Sequence, residues 1–120
     1  MAIDNELVER VRKMLRRQTG VSEKRMFGGV AFMLDGNMCC GVTKELLVLR
    51  LGEEGVVAAL KQPHTREMDF TGKPMKSMAF VEPLGTRTDA DLDAWVRRAV
   101  RFVRTLTPKR MKTVKKVKSG

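Results

Sequence analysis

Two adjacent cysteines, one histidine and a pair of neighbouring glycines are the residues whose types could carry chemistry in this sequence. Cys39 and Cys40 supply thiols, His64 an imidazole, and Asp69 a carboxylate able to orient it, which together are the parts of a Cys–His nucleophile. The spacing does not support their assembly. There is no C-x-x-C pair, and successive residues of an extended strand point to opposite faces. The two thiols are therefore expected on opposite surfaces of a sheet, where they cannot share a tetrahedral metal. One is expected to be buried as a small apolar residue, and the other to lie on the second surface. Ser22, Ser77 and Ser119 are the only serines, and none lies in a G-x-S-x-G elbow. Gly28-Gly29 runs on into Val-Ala-Phe-Met-Leu, a continuing strand, with neither the helix start nor the Lys-Ser/Thr of a phosphate loop. The glycine pair is expected to mark a bulge or a close backbone approach. No catalytic, cofactor-binding or metal-ligating residue is assigned, no cofactor is expected, and a non-enzymatic protein follows.

Charge offers a different chemistry. The formal net charge is +10, but Lys109, Arg110, Lys112, Lys115, Lys116 and Lys118 form a C-terminal stretch without an acid. Removing those six from +10 leaves +4 for residues 1–108. The chain thus divides into one domain at 1–108 and a basic tail at 109–120, expected to be disordered. Such a tail attracts phosphate backbones by counterion release without reading sequence. Further cations, Arg97, Arg98, Arg101 and Arg104, lie along the outer side of the last helix. With the tail they are the candidate contacts for nucleic acid or an acidic partner. Arg16 and Arg17 end the first helix, where bases complement the helix dipole, and are read as structural.

The elements that must position these residues follow from apolar periodicity. Residues 4–19 read as an amphipathic helix with Leu7, Val8, Val11, Met14 and Leu15 on one stripe. Three strands follow at 24–34, 37–42 and 46–51, with Asp35-Gly36 a strong hairpin signal between the first two. A short helix at 53–61 turns Val56, Val57 and Leu60 inward, and strands at 66–70 and 75–81 complete a sheet. Thr88 caps a last helix whose buried stripe is Leu92, Trp95, Val96, Ala99, Val103 and Leu106. With Trp95 inside, stacking aromatics for nucleic acid are poorly supplied. The expected fold is α+β in two layers. A five-stranded antiparallel sheet carries helices mainly on one face, in the order α-β-β-β-α-β-β-α.

Helices on one face leave the other uncovered. Residues 25–34 are apolar on both parities, with Met26, Val30, Phe32 and Leu34 on one, and the sequence holds nine methionines. That set is the candidate partner face, for another protein or a second copy of the chain. No apolar run is long enough to span a membrane, and the first residues lack a secretory pattern. Adjacent cysteines suit a reducing compartment, so a cytoplasmic protein is expected.

With these segments placed, the sequence resembles the N-terminal domain of the TfoX/Sxy family. The segments that match are Arg25-Met26-Phe27-Gly28-Gly29, Asp35-Gly36-Asn37-Met38, Leu47-Val48-Leu49-Arg50, Pro63-His64, residues 68–75 (M-D-F-T-G-K-P-M) and Asp91-Leu92 with Trp95-Val96. The resemblance implies an α+β layout and a regulatory role. The founding members carry a second, C-terminal domain and regulate natural competence with the cyclic-AMP receptor protein at promoters. No catalytic residues carry over, and Gly28, Gly29, Asp69 and Trp95 would be turn, bulge and core positions. The leading expectation is a transcription-linked adaptor acting through protein contacts. The alternative is direct, largely non-specific nucleic-acid binding through the tail and arginine face.

Overall fold

The computed structural model describes residues 3–26, 28–70 and 73–108. Helix α1 (Asn5–Met14) leads into strands β1 (Val21–Met26), β2 (Gly29–Leu34), β3 (Asn37–Thr43) and β4 (Leu46–Arg50). Helix α2 (Gly52–Ala59), strands β5 (Thr65–Phe70) and β6 (Lys73–Val81), a 3-10 turn at Pro83–Thr86 and helix α3 (Asp89–Val103) follow. The strands form one sheet in the order β1-β2-β3-β4-β6-β5. Every neighbouring pair is antiparallel. β4 and β5 both oppose β6 and so run parallel to each other, with α2 crossing between them against β6.

Six strands replace the expected five because residues 24–34 are two strands rather than one. Met26 pairs with Gly29, so the chain reverses between them, and Gly28 takes φ +74. Positive φ is cheap only without a Cβ. Gly29 supplies the close approach expected of the glycine pair, since a Cβ there would lie 1.9 Å from the Val42 carbonyl oxygen of β3. The Asp35-Gly36 hairpin stands as expected: both residues have positive φ, 50 and 84, as a two-residue turn joining twisted strands requires.

Local capping agrees with the sequence. The Asp4 carboxylate accepts from the backbone N–H of Glu6 at 3.1 Å and of Leu7 at 3.0 Å. The Thr88 hydroxyl accepts from Asp91 N–H at 3.1 Å. All three helices pack into one buried cluster on one face of the sheet. Leu7, Val8 and Val11 of α1 and Leu92, Val96 and Ala99 of α3 meet Phe32, Leu34, Val42, Leu47 and Leu49. Burying each such leucine or phenylalanine stabilises the fold by about 1.5–3 kcal/mol before entropy is counted. In α2 the inward residues are Val56 and Ala59, while Val57 is 60% exposed, contrary to the sequence reading.

Candidate functional site

The thiols were expected on opposite faces, and the structure corrects this. The β2–β3 register steps between Phe32 and Met33: Cys40 pairs with Phe32 and Met38 with Met33, leaving Cys39 as the extra residue of a bulge. A bulge breaks strict alternation. Cys39 and Cys40 accordingly enter the same buried cluster, both free thiols and both fully buried. A hydrogen bond with Cys39, together with burial, holds the Cys40 thiol well above its ordinary range. Such a thiol resists ionisation, the opposite of what a nucleophile needs. His64 lies elsewhere, exposed in the turn before β5, with φ 67 and its carbonyl accepting from Glu82 N–H at 2.8 Å. Among the described residues no three His, Cys, Asp or Glu side chains gather as a metal site.

Three of the four α3 arginines have partners within the fold. Arg97 pairs with Asp93 at 2.7 Å, and the Arg98 guanidinium stacks 4.6 Å from the Trp95 ring centre. Arg104 reaches Asp35 at 3.0 Å, the Gln18 side-chain oxygen at 3.1 Å and the Thr19 carbonyl at 3.0 Å. Arg97 and Arg98 are engaged within α3, and Arg104 ties the helix end to other parts of the fold. Arg101 alone of the four has no ion pair or ring contact among the described residues. Lys109, Arg110, Lys112, Lys115, Lys116 and Lys118 lie outside the described residues.

Tertiary packing instead builds two grooves beside α1. One, of about 330 Å³, lies between α1 and the β1–β2 hairpin and includes Glu9, Arg12, Glu23, Lys24 and Arg25. One arginine is paired with both of the groove's carboxylates. Arg12 grips Glu23 with two nitrogens at 2.7 and 2.8 Å and also bonds Glu9. That fork raises the Arg12 pKa further and lowers that of Glu23. The second groove, about 390 Å³, runs between the end of α1 and α3. Lys13, Arg16, Arg17 and Gln18 line one side, Asp93 and Arg97 the other, with Met14, Val96 and Val100 between them. Sequence reasoning treated Arg16 and Arg17 as dipole partners and did not see that α3 would bring Arg97 beside them. The readable signal was three bases, Lys13, Arg16 and Arg17, crowding one helix end.

The partner-face residues also divide. Phe32 and Leu34 lie under the helices at 0% and 1% exposure, and Val30 packs half-buried against the same core. Because β1 folds back to pair Met26 with Gly29, Met26 sits on the other face, 37% exposed. That helix-free face is built from different residues. One row runs Lys24, Ala31, Gly41, Val48, Phe80, Arg66 across all six strands. Beside it lie the pairs Met33–Met38 and Arg50–Met78. Val48, Met68 and Met78 form a second buried cluster with Met38 and Phe80 against it, and no helix residue joins them. Arg66 lies 5.4 Å from the Phe80 ring centre and 3.4 Å from Glu82, closing one side.

No helix among the described residues is long and apolar enough to cross a membrane. Neither the curated proteins nor the solved structures contain a match to this chain. Residues 13–103 match the TfoX N-terminal domain, a span running from the basic end of α1 through the whole sheet to the last turn of α3, and the chain therefore belongs to the TfoX N-terminal domain family.

Proposed function

We propose that this domain is a non-enzymatic, transcription-linked adaptor that acts through protein contacts. The observation that carries the reading is the helix-free sheet face, where small residues Ala31 and Gly41 sit among Met33, Met38, Met78 and Phe80. Methionine is unbranched and polarisable, so the half-buried Met33 and Met38 can adapt their shape to a partner. Lys24 and Arg66 at the two edges discourage strand-to-strand aggregation. The buried, proton-holding thiols supply no nucleophile to compete with this role.

The test is affinity capture on the full chain and on a Met33→Glu/Met38→Glu variant, with proteins identified by mass spectrometry. Recovery of RNA polymerase or a promoter-bound regulator, lost in the variant at unchanged melting temperature, supports the adaptor. Recovery of nucleic acid alone would sink it. Non-specific nucleic-acid binding is the competing role, and it has a distinct signature. Converting Lys112, Lys115, Lys116 and Lys118 to glutamine would abolish a salt-sensitive DNA shift, with no change on substituting the sheet face.

A further inference from the structure

We infer that the groove between α1 and α3 is a docking site for an acidic amphipathic helix of the partner protein. The inference deepens the adaptor reading and rests on it. Its first support is charge. Lys13, Arg16, Arg17 and Arg97 border the groove against one carboxylate, Asp93, which leaves three positive charges uncompensated. Asp93 is already held by Arg97 at 2.7 Å, and Lys13, Arg16 and Arg17 have no ion pair among the described residues. The negative end of the α1 dipole, equivalent to about half an elementary charge, offsets only part of this excess. The groove on the other side of α1 is the internal comparison, because there Arg12 is saturated by Glu9 and Glu23. Lys24 and Arg25 leave that groove with one net positive charge, against three in the α1–α3 groove.

The second support is the apolar floor. Met14, Val96 and Val100 line the space between the cations. Apolar side chains there, with bases on both banks, complement a helix bearing leucine on one stripe and Asp or Glu beside it. A volume of about 390 Å³ accepts a few side chains, not a whole globular surface. Nucleic acid fits less well. No aromatic lines the groove for base stacking, and Trp95 is buried beneath Arg98.

The experiment measures fluorescence anisotropy with the full chain and a labelled 15-residue synthetic helix carrying leucines on one stripe and glutamates flanking it. Controls are a scrambled peptide of the same composition and a DNA duplex. The amphipathic probe is expected to bind at least about tenfold tighter than the scrambled one, and Arg16→Glu/Arg17→Glu to weaken it by about tenfold or more. Both arginines are exposed, so that variant keeps the fold, and it retains the basic tail, so tail binding cancels. Val100→Lys separates the two supports. It adds a positive charge but fills the floor, so weaker binding at an unchanged melting temperature supports the groove, and tighter binding overturns it. Equal binding of both peptides, or competition by the duplex that Arg16→Glu/Arg17→Glu removes, also overturns it. In the capture experiment, a transcription protein retained by Arg16→Glu/Arg17→Glu and lost by Met33→Glu/Met38→Glu refutes the groove and keeps the adaptor. Loss with both variants supports the groove.

Discussion

Arg104, just past the last turn of α3, holds the carboxylate of Asp35, in the turn between β2 and β3, at 3.0 Å. The same guanidinium also bonds Gln18 and the Thr19 carbonyl in the segment between α1 and β1. One side chain thereby clamps three parts of the molecule. A partly exposed ion pair alone contributes at most about 1 kcal/mol, and the hydrogen bonds to Gln18 and Thr19 add to it. Arg104→Ala is expected to lower stability by about 1–2 kcal/mol, read from urea unfolding midpoints. An unchanged midpoint would show that the clamp contributes nothing.

Gly29 faces a harder constraint. A Cβ there would lie 1.9 Å from the Val42 carbonyl oxygen and 2.9 Å from the Val42 carbonyl carbon. Backbone atoms in the middle of a sheet cannot move aside as a flexible side-chain end can. Gly29→Ala is expected to cost about 3 kcal/mol or to disturb the β2–β3 pairing. Gly28→Ala meets no atom within 4 Å but takes on positive φ, so its cost is expected near 1 kcal/mol. Comparing the two melting temperatures separates collision from conformational strain.

The buried thiols predict an alkaline weakness. Cys40 holds its proton to a higher pH folded than unfolded, because of its bond to Cys39 and its burial. Its contribution is therefore complete below the ordinary thiol pKa of about 8.5. Above that value the unfolded chain loses the proton while the folded chain keeps it, and stability falls as pH rises toward the folded pKa. Unfolding midpoints should drop between about pH 8.5 and 10, and Cys40→Ala should flatten the drop. Iodoacetamide should label neither cysteine in native protein at pH 8 and both in urea.

Glu23 behaves in the opposite sense. Its hydrogen bonds to Arg12 lower its pKa, so the pair stabilises the fold above the ordinary carboxylate range. That contribution is lost as pH falls through the folded value. Both side chains are more than a third exposed, so solvent screening keeps the effect small. Arg12→Ala should return the Glu23 titration, followed by carboxyl NMR shifts, to about 4.3. A titration that does not move would show that the fork is absent in solution.

What the sequence determined by itself were features whose causes lie within a few residues. Asp35-Gly36 can turn because both positions tolerate positive φ, Thr88 caps because its hydroxyl reaches Asp91 N–H, and the α3 stripe follows a 3.6-residue period. Tertiary structure alone decided where strands meet. The pairing of Met26 with Gly29 split one apparent strand in two, and a bulge opposite Phe32 and Met33 brought both thiols into one core. It also decided which charges remain available. Arg104 finds Asp35 across 69 residues of sequence, while Lys13, Arg16 and Arg17 meet Arg97 only because α1 and α3 pack side by side. Electrostatic pairing depends on distance through space, which local pattern does not carry. A run of bases therefore reads the same along the chain whether the fold saturates it or leaves it open.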